Sequence, residues 1–448
     1  MTIDLTTYKL ALAHAADVLG VALGAAAEPV PVAVVAPPVP PVALPVVVPP
    51  VVPPAPPMTP VVVAPVPVVV ATPDPPPAQP IKPKTPVSLM VGPNQQWKFI
   101  CEAMEPICAR LFNGEALAVT MQLEASPDPL YYANDFSSHY HHPSGWPTFE
   151  QTFGCDMILE RAPGTNGLIP IPMTAAGALY YGKGIFIAQG GNLTLRGLAI
   201  SGAKRGDVDG NFSGVRYDSG FTTGNMLIED CELFEDDDGL LGGNAGQTLT
   251  LNRVYFHGCG SGSGYTHNVY ASRFDLVTAT DVLSVGAKVG HLFKCRAAKT
   301  VLRRVRLFDG PDGTASYCFD APNGGIVDID GLITHKSAKA SNAPTLAIGE
   351  EGDNGGGFHA NTSIRIRNWT AFTERADALL LWNGQNSPTD IQGTQAFGYA
   401  GHGMQMGMFG STDLPLAGHA FPDDALTVPS VAPTLDYSSP VDASPAAP

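Results

Sequence analysis

The sequence has no C-x-x-C pair, little basic charge and no long apolar run free of proline. Its seven cysteines, Cys101, Cys108, Cys155, Cys231, Cys259, Cys295 and Cys318, are odd in number and lack zinc-like spacing. A disulfide framework is not expected; buried free thiols, made in a reducing compartment, are. The 25 Lys and Arg residues stand against 41 Asp and Glu, a formal net charge of -16, which excludes a general nucleic-acid binder and predicts a soluble, self-repelling surface. Proline interrupts the Val-rich tract from 29 to 71 throughout, so no membrane span is expected. The N-terminus, MTIDLTTYKLALAHAADVLGVALGAAAEP, has an apolar tract ending in small residues but no basic start, and Lys9, His14 and Asp17 interrupt it. It reads as a short amphipathic helix over residues 1–27, an anchor or oligomerisation element, rather than a secretory signal.

Proline and glycine are abundant, at 43 and 48 residues. Residues 28–87 are dominated by Pro, Val and Ala, as in PPVPPVALPVVVPPVVPPAPP, and read as an extended polyproline-like linker. Residues 88–410 read as the folded body and 411–448 as a disordered tail rich in Pro, Ala, Ser and Asp. Near the start of the body, Trp97, Ile100, Cys101, Met104, Ile107, Cys108, Leu111 and Phe112 recur at helical spacing, which predicts a helix covering one open end.

Beyond that helix lies a repeat. With h for an inward residue, the octet h-x-h-x-x-h-x-h begins at Leu193, Met226, Leu249, Val277, Thr300, Val327 and Ile364. A second short strand keeps step with it: GIFI at 184, GVRY at 214, GLLG at 239, NVYA at 268, HLFK at 291, YCFD at 317, TLAI at 345 and LLLW at 379. Two period-2 strands in each unit of roughly 25 residues, with Gly, Asp and Asn at the corners, exclude βαβ units. No unit can bury its own apolar face, so the units must stack into a solenoid of parallel β coils.

This pattern resembles the right-handed parallel β-helix proteins of the pectate-lyase-like superfamily, which includes polysaccharide lyases, polygalacturonase-type hydrolases and phage tailspikes. The resemblance implies an all-β fold, a right-handed parallel β-helix with an N-terminal capping helix behind a Pro-rich linker. It does not fix the chemistry, because such coils host lyases, hydrolases, epimerases and plain binders.

Stacking converts the sequence period into spatial adjacency at about 4.8 Å per coil. In the middle coils this brings together Asp237, then Tyr265 and His267, then His291, Lys294 and Arg296, then Tyr317, Asp320 and Asn323, then Glu350 and Glu351. The positions corresponding to Lys294 in flanking coils read as Ile187, Tyr217, Ile348 and Trp382. Eight of the 25 basic residues fall between Arg273 and Arg306, a band suited to an anionic ligand. Arg303, Arg304 and Arg306 equally fit a solvated strand edge. Two orientations stay open for the core of the cluster: Lys294 and Asp320 as stacked partners inside the coil, or outward beside an inward Phe293 and Phe319.

β-Elimination on a uronate chain needs a group to neutralise the carboxylate, a base for the carbon-bound proton and an acid for the leaving oxygen. Lys294, Arg296, His291, His267 and Tyr265 are the candidate catalytic residues; Arg273, Tyr317, Asp320, Asn323, Glu350 and Asp237 are the candidate substrate contacts. KCRAAKTVLRRVRLFDGPDGTAS resembles a strand segment of alginate and chondroitin lyases, and the resemblance makes Lys294 the base. The Arg that those enzymes carry in the next strand is absent from Tyr317–Asp320. EDDDG at 235–239, followed by Gly290 and His291, is loosely similar to polygalacturonase-like hydrolases, which use paired carboxylates. His139, His141 and His142 read as a surface loop rather than a metal site. The sequence names no certain cofactor; Glu350 and Glu351 would suit calcium, or else pair with Arg296. The expected function is a polysaccharide-active protein, a lyase or depolymerase acting on an anionic glycan. The alternatives are a non-catalytic carbohydrate-binding or structural fibre protein, and a glycoside hydrolase. An extracellular or virion-associated location after cytoplasmic synthesis fits this, with a homotrimer or particle anchoring through the N-terminal segment.

Overall fold

The computed structural model describes residues 83–136, 149–151, 155–173, 184–204, 212–218, 220, 223–352, 356–399, 404–405 and 409–412. The helix expected at 1–27, nearly all of the linker and tail, and the loop with His139, His141 and His142 lie outside the described residues. The first strand, Thr85–Val91, begins inside the tract read as linker, because TPVSLMV pairs along its whole length with Leu117–Leu123.

Alternating hydrophobic strands form two sheets, one 16-stranded and one 10-stranded among the described residues, and the pairings within both are parallel. Long strands such as Lys299–Phe308, Ile326–Lys336 and Ser363–Thr373 alternate along the chain with short ones such as Phe293–Cys295, Phe319–Ala321 and Pro344–Ile348. Each coil adds one strand to the long-stranded sheet and one to the short-stranded sheet, the arrangement of a parallel β-helix-like stack. The core runs between the sheets as a single apolar cluster.

The octet and the register coincide. Leu193, Met226, Leu249, Val277, Thr300, Val327 and Ile364 stand in one buried column. The fifth residue of each octet explains its spacing. Gly197, Asp230, Arg253, Asp281, Arg304, Gly331 and Asn368 all have φ between 50° and 76°. One residue in the left-handed region bends the strand and resets its phase, so that the residue after it faces inward again. That conformation costs a non-glycine residue about 1–2 kcal/mol. Neighbouring coils place opposite charges there: Arg253 pairs with Asp230 at 2.5 Å and Arg304 with Asp281 at 2.7 Å.

The helix Ile100–Phe112 connects the first two strands of the long-stranded sheet and puts Ile100, Ala103, Met104, Ile107 and Leu111 into the core. Glu102 holds its start, with one carboxylate oxygen accepting from the backbone N–H groups of Lys98 and Phe99 at 2.9 and 3.3 Å. The helix also touches Phe149–Gln151, the terminal strand of the short-stranded sheet. Of the cysteines among the described residues, all but Cys108 are buried. Among the described residues no helix is long and apolar enough to cross a membrane.

Candidate functional site

Three short strands, Val269–Ala271, Phe293–Cys295 and Phe319–Ala321, carry the central cluster. Alternation sends Phe293 and Phe319 into the core and turns Tyr270, Lys294 and Asp320 to the opposite face in one column. The ion pair is therefore outside the coil. It is nevertheless covered: Lys294 is 5% and Asp320 0% exposed. The chain leaving Pro344–Ile348 turns at Gly349, with φ of 76°, and brings Glu350 and Glu351 against the column. Extending that column gives Ile187, Arg216, Leu241, Tyr270, Lys294, Asp320, Ala347 and Trp382. Arg216 and Ala347 thus stand where the sequence reading placed Tyr217 and Ile348, a slip of one residue.

The polar network is dense. Lys294 Nζ lies 3.2 Å from Asp320 Oδ2 and 3.2 Å from Glu351 Oε1. Arg296 donates to Glu351 Oε2 at 2.6 Å, to Asn323 Oδ1 at 2.6 Å and to the Tyr270 hydroxyl at 2.8 Å. Asn323 in turn donates to the Gly357 carbonyl at 2.9 Å, and His359 Nε2 lies 3.0 Å from the Arg296 carbonyl. One coil earlier, His267 Nδ1 accepts the backbone N–H of His291 at 2.9 Å, with the His291 ring Nδ1 also 2.9 Å away. Gly290 makes this approach feasible, since a Cβ there would fall 1.7 Å from the Thr266 carbonyl oxygen.

The backbone contact makes His267 Nδ1 an acceptor, so the neutral His267 ring carries its proton on Nε2. His291 stands between two partners, with Nδ1 2.9 Å from His267 Nδ1 and Nε2 3.5 Å from Asp320 Oδ2. Burial holds both imidazoles well below the ordinary histidine pKa; the charge of Lys294 acts with it on both, and His267 adds to the effect on His291. Burial presses the Lys294 ammonium toward neutrality, but Asp320 and Glu351 outweigh it and keep its pKa above the ordinary value. Burial also pulls Glu351 upward, and Lys294 and Arg296 outweigh that, so its carboxylate stays ionised. Glu350, half-buried but with both carboxylate oxygens inaccessible and facing Asp320, is pushed up to about 10. The Asp320 and Glu350 carboxyl groups face each other, and a proton kept on Glu350 and shared with Asp320 joins them. Two cations, Lys294 and Arg296, thus face two anions, Asp320 and Glu351, across a neutral Glu350.

Tyr265, His267, Tyr270, His291, Lys294, Arg296, Tyr317 and Glu351, with Ser316, Ser341 and Asn342, line a cleft of about 560 Å³. Tyr265 is 84% exposed on a Gly-Ser loop at its mouth. Among known proteins, no family model, curated protein or solved structure matches the chain.

Five candidate catalytic residues, Tyr265, His267, His291, Lys294 and Arg296, share this cleft, and Tyr317 joins them on the wall. Asp320, Asn323 and Glu350 stand behind the lining residues rather than among them. Two candidates fall elsewhere. Arg273 lines a separate recess of about 360 Å³ with Asn244, Phe274 and His359, and donates to the Gly357 carbonyl at 3.0 Å. Asp237 is buried, with the Phe212 N–H 3.4 Å from its Oδ2, and does not line the cleft. The basic band divides as well: Arg303 and Arg304 pair with Asp328 and Asp281 on the long-stranded sheet, away from the cleft.

Glu350 and Glu351, the pair read as suited to calcium, and Asp320 bring carboxylate oxygens within 4.8 Å of one another. The fit is poor, because the Lys294 ammonium already stands 3.2 Å from both Asp320 and Glu351 and Glu350 retains its proton. Tyr270 is the residue the sequence reading missed. Aligning NVYA with HLFK sets Ala271 beside Lys294, whereas the observed register sets Tyr270 there and explains the Arg296 contact.

Proposed function

We propose that this cleft binds and cleaves an anionic polysaccharide by β-elimination, and that the stack is a right-handed parallel β-helix of the pectate-lyase-like kind. The observation that supports the chemistry best is a neutral imidazole pair beside two cations that stay charged. His291 serves as the base for the carbon-bound proton, and His267 holds that ring in position. Lys294 and Arg296 neutralise the uronate carboxylate. Lys294 is not the base, contrary to what its resemblance to lyase lysines implies, because Asp320 and Glu351 keep it protonated. The Tyr265 hydroxyl, exposed at the mouth, serves in this reading as the acid for the leaving oxygen. Paired-carboxylate hydrolysis finds less support: Glu351 is the one carboxylate among the described lining residues. A depolymerase presented outside the cell or on a particle through its N-terminal segment, singly or as a homotrimer, fits this chemistry.

The test is a panel of acidic polysaccharides, followed by reducing-end release and by absorbance in the unsaturated-uronate band. Both signals rising together support elimination. Reducing ends without absorbance indicate hydrolysis, and glycan retention without either signal indicates a non-catalytic binder.

A further inference from the structure

Glu351 has a geometry that catalysis alone does not explain. Its two oxygens bridge the cations proposed to hold the ligand carboxylate, Oε1 at 3.2 Å from Lys294 Nζ and Oε2 at 2.6 Å from Arg296 Nη2. Unlike Asp320, which is fully buried behind the lining, Glu351 faces the cleft and its side chain keeps one-third of its exposure. Arg296 does not depend on it, since Asn323 Oδ1 and the Tyr270 hydroxyl hold the same guanidinium. Lys294 keeps Asp320. Glu351 is thus the removable member of the network. With it in place the four ionised groups sum to zero, and without it the cleft carries one positive charge.

We infer that Glu351 is an internal stand-in for the ligand's carboxylate, seated between Lys294 and Arg296 until a uronate unit displaces it. The inference rests on the anionic-glycan reading above and names the unit recognised: a sugar whose carboxylate spans two cations, as against a neutral sugar. Exchange of one carboxylate for another leaves both cations paired throughout, so neither is exposed to an apolar wall without a partner. It also sets specificity, because a neutral sugar offers nothing to replace the contact it would break.

The experiment compares wild type with Glu351→Gln and Glu351→Ala, using galacturonate and glucuronate as probes, galactose and glucose as neutral controls, and calorimetric titration as the readout. Melting curves establish that each variant is folded. Both variants are expected to bind at least one uronate about tenfold more tightly than wild type, with no gain for the neutral sugars. Unchanged or weaker uronate binding in both variants overturns the inference, as does an equal gain for neutral sugars. The two readings fail separately. Wild-type cleavage of an acidic polysaccharide without a gain in the variants removes the stand-in alone, whereas a uronate-specific gain without cleavage removes the elimination chemistry and leaves a binder. If none of the three proteins binds a uronate and wild type cleaves nothing, both readings fall.

Discussion

At the scale of single residues, the side chains outside the coil behave as a buried network although they sit on its outer face. Replacing Lys294 with Met leaves Asp320, which is fully buried, without its nearest cation. Breaking a buried pair in this way costs about 3–5 kcal/mol. The expected result is a large loss in denaturant midpoint, with much of it recovered in Lys294→Met combined with Asp320→Leu. A single variant as stable as wild type would mean that the covering contributed by Glu350 and Glu351 is not formed. Glu350 gives a second prediction. Its pKa is about 10 against an ordinary 4.5, so between those values the folded state holds a proton that the unfolded state releases. Its contribution is fully present below the lower value and is lost as pH rises through the upper one. Wild-type melting temperature should therefore fall between about pH 5 and pH 9, and Glu350→Gln should flatten the fall. Parallel pH curves for the two proteins would show that Glu350 is ionised in the native state.

Among the elements, the long strands were legible because each octet carries one constraint repeated seven times, and the bend at its fifth residue is written as Gly, Asp, Asn or Arg. The short strands were not legible to the residue. Phe293–Cys295 and Phe319–Ala321 each span three residues, and both faces are buried, so period-2 alternation gives way to an unbroken run of buried positions, apolar ones beside Lys294 and Asp320. That ambiguity produced the one-residue slip at Tyr270, Arg216 and Ala347. Covering segments from a distant part of the chain, such as Glu351 over Lys294, 57 residues away, leave no local signal. The left-handed column supplies its own test at Arg304, where φ is 52°. Arg304→Gly removes the strain and a surface ion pair worth about 0–1 kcal/mol, and is expected to leave the melting temperature unchanged or slightly higher. Arg304→Val keeps the strained backbone and also loses the pair with Asp281, so it should be less stable than Arg304→Gly by about 1–2 kcal/mol. Equal stability in the two variants would show that the bend does not need that conformation.

Over the whole molecule, a stack in which each coil contacts its neighbours makes stability nearly additive along the axis, so where a truncation ends matters more than how long it is. Removing residues 1–82 leaves every described strand, and the melting temperature should hold. Removing residues 1–91 also takes Thr85–Val91 and uncovers Leu117–Leu123, and the melting temperature should drop. The rigidity of the stack is what allows a cleft assembled from four successive coils to hold His291, Lys294 and Arg296 in fixed relation. The account depends most on what that cleft does to a uronate polymer. The direct measurement is absorbance in the unsaturated-uronate band during incubation of acidic polysaccharides with wild type and with His291→Ala and Arg296→Ala, each variant confirmed as folded. A rise with wild type on at least one polymer, lost in both variants, is the predicted result; no rise on any polymer, or a rise that survives loss of His291 and of Arg296, would contradict it.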